Sequence, residues 1–498
     1  MAVAAFSVSV SRSAGWLWKS QPGTPSTSSS SKPEPVKTAT SAPASVASHR
    51  PIAPNVAPFV PTITATKVDS FTDADLDGKA EPGQTIKYTV NIGAAGEDAT
   101  GVTFKDMVDP NTTFQAGTLA ASPVGVNDTF PVTVTGNVKI NSATLTTPFS
   151  VTANDYLGTE PATISAFDAT TANGGQIVMT TSGPDMGKFT YNPPAGFEGV
   201  DTFTYTLTDN ANATSAASNR TATVSLTVSG MIWFINNNDL GSSPDGRLTS
   251  PFKTLAAFQA VNNGTGNHPA ANDNIFVYES ATDYVGPVTL LNGQKFIGQD
   301  ATASISVITG ITPAVGSDAL PAMNSGNATI TNITSAGIGI TVAQNNTLRG
   351  FTGGNAVTDI TGTGFGTLNV LDVTLNGNGQ TLNLTTGTLT GSFGSLSSTN
   401  SATTGLSLSG VAGSLTTGST TVTNSTGIGI SVATSGLTLG FANTSVTGSG
   451  DTGVSLTTNT GAITFADLDI SPDAGQRGLL ATDNTQTITT TSGTIGTT

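Results

Sequence analysis

The feature that most constrains this chain is a repeat. From about residue 337 onward the sequence returns to itself roughly every 24 residues. Val370-Leu371-Asp372-Val373-Thr374-Leu375 aligns with Phe441-Ala442-Asn443-Thr444-Ser445-Val446 and with Phe465-Ala466-Asp467-Leu468-Asp469-Ile470, and weaker members begin at Phe393 and Thr417. The starts differ by 23, 24, 24 and 24 residues. A second series, Gly379, Gly405, Gly427, Gly453 and Gly478, runs in phase with spacings of 26, 22, 26 and 25. A fixed period of this length means stacked supersecondary units that share one core.

Within a unit apolar residues alternate and then slip register at Asp or Asn. Ile463 and Phe465 face one way, and Leu468 and Ile470 join them only if the chain bends at Ala466-Asp467. Asn and Asp tolerate the left-handed backbone that such corners need, so Asp372, Asn443 and Asp467 are expected to stack. About 24 residues per turn suits a three-sided parallel β-helix, and roughly seven coils at about 4.8 Å each make a rod of roughly 35 Å. The expected inward residues are Val370, Leu375, Ile428, Ile430, Phe441, Val454, Leu456, Phe465, Leu468 and Ile470. Ser250-Pro251 suits a helix start, and a short helix over 250–261 would cover the first coil's open edge.

Composition narrows the function. Lys and Arg number 17 against 32 Asp and Glu, a net charge of −15, which disfavours nucleic acid because phosphate binding needs clustered cations. Cysteine is absent and histidine occurs twice, at His49 and His268. Disulfides, thiolate metal sites and cysteine nucleophiles are therefore excluded. No apolar run is long enough to span a membrane as a helix.

The N-terminal half divides in three. Residues 1–62 are rich in Ser, Pro and Thr and read as a disordered tail or linker. No basic residue precedes the mildly apolar start, unlike a signal peptide. Residues 63–125 read as a small β-domain, with Thr85-Ile86-Lys87-Tyr88-Thr89-Val90 alternating as a half-buried strand. Just before it, Asp73, Asp75 and Asp77 fall at alternate positions ahead of Gly78, with Glu81 able to close the set. Such a loop can wrap oxygens around calcium, or it is a solvated acidic turn. Asp75 to Gly78, Pro82-Gly83, Asp98-Ala99-Thr100-Gly101-Val102 and Asn111-Thr112-Thr113-Phe114 together resemble a repeat domain of large bacterial surface proteins, which implies an Ig-like spacer. Residues 126–229 read as a second sandwich, with strand-like runs at 149–151, 176–179, 188–191, 201–207 and 222–228. Ala153-Asn154-Asp155, Phe189-Thr190-Tyr191-Asn192-Pro193, Gly196-Phe197-Glu198-Gly199 and Asp201-Thr202-Phe203-Thr204-Tyr205 are similar to a bacterial Ig- or cadherin-like repeat. Phe203, Tyr205 and Leu207 share one face and should fill its core.

Residues 231–498 form the β-helical region. With its opening Trp233 strand, Ser250-Pro251-Phe252-Lys253-Thr254-Leu255 and Asn274-Ile275-Phe276-Val277, it resembles right-handed parallel β-helices of the pectin-lyase type. The expected fold class is thus all-β: Ig-like sandwiches, then a β-helix with a short capping helix. That fold hosts polysaccharide lyases and hydrolases, and function follows the site. Between 331 and 498 no Glu, Lys or His occurs, the only bases are Arg349 and Arg477, and the best acidic cluster is Asp467, Asp469 and Asp473 with Arg477. Hydrolysis of a glycosidic bond needs paired carboxylates across it. Poverty of titratable groups favours a non-catalytic, adhesin-like protein, extracellular or on the bacterial surface, with surface glycans or other cell-surface proteins as partners. The alternative is a carbohydrate-active enzyme with accessory Ig-like modules. Because the repeat runs on to the last residues, the β-helix is expected to continue in a longer protein.

Overall fold

The structure is a computed structural model. It describes residues 2–12, 62–76, 78–95, 112–115, 120–158, 162–209, 220–326 and 328–496. The chain forms two compact units, one made of 1–126, 155–163 and 206–221, the other of 127–154, 164–205 and 222–498.

In the first unit Thr62–Ser70 pairs antiparallel with Thr85–Ala95, the strand that the alternation anticipates. Val90 and Ile92 are buried. Of the tail expected over 1–62, Ala2–Arg12 is a strand running parallel to Thr85–Ala95. Residues 13–61, and the repeat-domain motifs at 98–102, lie outside the described residues.

The second unit holds most of the Ig-like module and all of the β-helix. Gln176–Met179 and Phe189–Asn192 pair antiparallel. Along Gly199–Thr208 burial alternates, with Phe203, Tyr205 and Leu207 inward. Phe203 packs edge-on to Phe189 at 5.2 Å, and Phe189 lies 5.4 Å from Phe130. The run at 149–151 is not a strand, although Val151 is fully buried. Asp201, also fully buried, explains the Asp of the D-x-F-T-Y pattern. It accepts the Tyr191 hydroxyl at 2.7 Å and the Thr171 hydroxyl, and the backbone N–H groups of Asn173 and Thr202 at 3.0 and 2.9 Å. A buried carboxylate must be saturated with donors in this way, and burial pushes the Tyr191 phenol up.

No linker separates module from rod. The strand Thr221–Ile235 serves both, and Gly230, in left-handed conformation, sits between its two halves. Its second half is the first strand of the β-helix and pairs parallel with Asn274–Val277. The opposite edge is closed by the 245–252 segment: the Phe234 N–H bonds to Gly246 O at 3.0 Å, the Phe252 N–H to Phe234 O at 2.9 Å, and the Asn236 N–H to Phe252 O at 2.7 Å. Helix α1 (Leu255–Val261) follows, with Thr254 as its N-cap rather than Ser250. Ser250 instead bonds Asp245. Thr254 wins because its hydroxyl reaches the Ala257 N–H at 3.0 Å while Phe252 is still held extended against Phe234.

About nine coils follow, all paired parallel from Val288–Thr289 and Lys295–Gly298 onward. Phe393, Thr417, Phe441 and Phe465 do stack in register. Phe441 and Phe465 are parallel rings 4.9 Å apart. Elsewhere the true register differs from the expected one by two residues. Val370 pairs with Gly391, and a bulge then sets Val373 against Phe393. Leu382, Leu406, Ile430, Val454 and Leu479 pair in succession, so the glycine positions are 405, 429, 453 and 478, not 379 and 427. Their spacing becomes 24, 24 and 25. Nine of the ten residues expected inside are buried. Ile428, displaced by this slip, is only half-buried.

The corners differ too. Asn443 and Asp467 stack, but Asp372 is not above them; Thr374 is, through Ser395 and Ser419. Left-handed backbone runs instead through Thr386, Gly410, Thr434, Thr458 and Asp483, and through Asn400, Asn424 and Gly448. Asn424 donates to Asn400 at 3.3 Å on one outer corner. Inside another corner, buried Asn459 accepts the Ser435 N–H at 3.0 Å and donates to Asn484 at 2.9 Å.

Candidate functional site

In the acidic loop the Asp73 carboxylate accepts the Gly78 N–H at 2.9 Å, and Leu76 and Gly78 have positive φ. Glu81 and Gln84 close the next turn on each other at 2.9 and 3.0 Å. Asp75 and Glu81 are exposed, and Asp77 lies outside the described residues. Among the described residues no three Asp, Glu or His side chains group to hold a metal ion.

The C-terminal cluster is tied into the coils. Asp467 accepts the Ser492 hydroxyl at 2.6 Å. Asp469 accepts both the N–H and the hydroxyl of Thr494, at 2.9 and 2.6 Å. Each carboxylate thus holds the next coil. A depression of about 160 Å³ beside them is lined by Ser445, Thr447, Asp469 and Thr494 among others, and by neither Asp473 nor Arg477. Those two are exposed on the following turn.

Arg349, the other base, pairs with Asp372 at 2.7 Å, both side chains about 15% exposed. The Asp372 carboxylate also accepts the Thr302 N–H and hydroxyl at 3.1 and 3.0 Å. The Arg349 strand and the Asp372 strand are register neighbours, so stacking the coils is what brings the two residues together. Asp372 is left-handed at φ 58° and lies in the bulge between Val370 and Val373, not in a stack of Asx corners.

One pair lies ahead of the regular repeat. Asp300 is half-buried, and burial pushes its carboxyl up, with the charge of Glu279 adding to the effect and the Thr331 N–H at 2.8 Å opposing it. The strands leading to Glu279 and Asp300 pair Val277 with Gly298, which puts both acids on one side of adjacent coils. A count of acids confined to the 24-residue repeat does not reach them. The signal was there in equivalent positions, two residues after each of the paired strands.

On the outer faces the side chains are mostly hydroxyls. Ser397, Thr421, Ser445 and Asp469 stack in one column, and Thr399, Thr423, Thr447 and Ser471 in the next. No helix among the described residues is long and apolar enough to cross a membrane.

Residues 120–227 match the family model of a bacterial Ig domain. No characterised protein matches the chain in sequence. Among solved structures the chain is similar to a family 28 exopolygalacturonase from Yersinia enterocolitica, at 12% identity over 62% of this chain and 86% of that one, with a TM-score of 0.14. A likeness at that score carries no argument about fold or activity.

Proposed function

We propose that this is a non-catalytic, adhesin-like protein of the bacterial surface or exterior, whose β-helical rod offers its outer faces to surface glycans or other cell-surface proteins. The observation that carries this reading is the commitment of three of the rod's carboxylates to its own coils. Asp467, Asp469 and Asp372 are each used to bond one part of the rod to another, while in-register hydroxyl columns make up the adjoining faces. Such columns suit weak, repeated hydrogen bonding to polyhydroxylated ligands, with many contacts adding by avidity. A bacterial Ig domain at 120–227 suits the same setting.

A second reading, a polysaccharide-degrading enzyme, draws on Glu279 and Asp300, because two carboxyls on one side of adjacent coils are the equipment of acid–base chemistry on sugars. One pair of assays separates the two. Beads carrying the full chain should bind glycan-coated surfaces, and the soluble chain should release no reducing or unsaturated ends from pectin or alginate. Release that disappears in Glu279→Gln or Asp300→Asn would establish the second reading. Absence of both binding and release would remove the adhesive role.

A further inference from the structure

The strand Thr358–Thr363 carries a carboxylate where the other coils carry almost nothing. In register with Asp359 stand Gly339 before it and Thr381 after it, and then the glycines from 405 onward. At each of those glycines a branched side chain 17 residues further on fills the space: Val422 against Gly405, Val446 against Gly429, Ile470 against Gly453. Around Asp359 the facing residues include Gly353, Gly354 and Ala356, which leave that space open. The Asp359 side chain takes part of it. A cavity of about 10 Å³ remains, bounded by Asp359 with Ile333, Phe351 and Leu375, and that is about the smallest volume that accepts one water molecule.

Asp359 is 4% exposed. Its carboxyl receives the Ala356 N–H, and its Oδ1 has no hydrogen-bond partner in the protein. No opposite charge faces it. Among the strands around the cavity (Asn332–Thr334, Ile338–Thr341, Thr347–Gly353, Thr367–Leu375 and Gln380–Thr399) the only titratable residues are Arg349 and Asp372, and these two bond each other on the outer side of the rod. An ionised carboxylate with one donor in an apolar enclosure is strongly disfavoured, whereas the neutral acid can donate to a water held beside it.

We propose that Asp359 is held as the neutral acid inside the rod and, with one water in the adjoining cavity, plugs the core between these coils, so that loss of its proton loosens them. Burial pushes this carboxyl up to about 8 from an ordinary 3.8, with the Ala356 N–H opposing. The sign follows from linkage. Between pH 3.8 and about 8 the folded chain binds a proton that the unfolded chain has released, so stability falls as the pH rises through that window. Above it the full loss is in place.

The test compares thermal unfolding of the full chain and of Asp359→Asn between pH 5 and pH 9.5. The variant keeps the shape and cannot ionise. Its melting temperature should gain on the wild type by several degrees as the pH rises; parallel pH profiles would overturn the proposal. Should the variant fail to fold, hydrogen exchange on the wild type decides. Corrected for intrinsic rates, protection of 338–341 and 358–363 should drop several-fold as the pH rises from about 5 to about 8, while that of 454–457 holds. Equal behaviour of the two regions would overturn the proposal as well.

Discussion

At Gly429 a methyl group would stand 2.4 Å from the Gly453 carbonyl oxygen and 2.4 Å from Val446 Cγ1. Gly405 and Gly453 meet equivalent obstacles in Val422 and Ile470. The requirement is close approach, since none of these three glycines has positive φ. The obstructing atoms are backbone and buried side chain, so neither can step aside without moving a coil. Gly429→Ala should therefore destabilise by about 1–3 kcal/mol. Gly436→Ala serves as its control, because there the nearest atom is Thr460 Oγ1 at 3.4 Å, an ordinary contact, and the change should stay within about 0.5 kcal/mol of neutral. Chemical denaturation of both variants measures the difference. Equal losses would mean that the glycine column is dispensable.

At the scale of elements, the strands were legible and their register was not. Alternation places Phe441, Phe465 and Val454 inside, as found, but a slip of two residues keeps every side chain on its own face. Pattern alone therefore could not tell Gly427 from Gly429; the side-chain packing of Val446 against Gly429 does. The pairing of Glu279 with Asp300 was missed for a different reason: their positions after the two strands are equivalent, but these coils lie ahead of the region where the period is regular. Where register was read correctly it can be tested. Phe441 and Phe465 are buried at 2% and 0% and stacked at 7°. Either change to Ala should cost about 3–5 kcal/mol, and a double-mutant cycle should return about 0.5–1.5 kcal/mol of coupling. Zero coupling would mean that the rings only fill space. The acidic loop is the other element with a definite test. If Asp73, Asp75, Asp77 and Glu81 gather round calcium, titration of the full chain with calcium gives heat that Asp75→Asn removes. No heat from the wild type leaves an acidic turn.

At the scale of the second unit, the sequence divides the Ig-like module at 126–229 from the β-helical region at 231–498, and the structure joins them. Gly230 reads as a boundary in the sequence, yet the strand passes through it, and long-range contacts lock the two parts. Asn137 is fully buried and left-handed at φ 67°. Its side chain donates to the Ile232 carbonyl at 3.0 Å and accepts the Gly196 N–H at 2.9 Å, and its own carbonyl receives the Leu248 N–H at 2.9 Å. Beside it Val138 joins Ile232, Phe234, Phe276, Ile297 and Ile305 in one apolar cluster, on the outer face of the first sheet, where helix α2 (Ile305–Thr309) also packs. The Asn141 N–H bonds to Gly316 O and the Asp318 N–H to Lys139 O, at 2.9 and 2.8 Å. An edge strand of the module is thereby bridged to the 316–318 segment, which covers that edge. Nothing in local sequence announces a bond between residues 95 apart. The consequence is cooperative: the Ig-like strands and the first coils should lose hydrogen-exchange protection at the same denaturant concentration. Asn137→Ala should lower that common midpoint by an amount worth about 3 kcal/mol, since it strands buried polar groups and forces a side chain into left-handed backbone. Asn137→Gly, which relieves only the backbone, should cost less. If the amides of Phe189–Asn192 and Gly199–Thr208 in the module opened well before those of Asn274–Val277 in the wild type, the module would unfold independently of the rod.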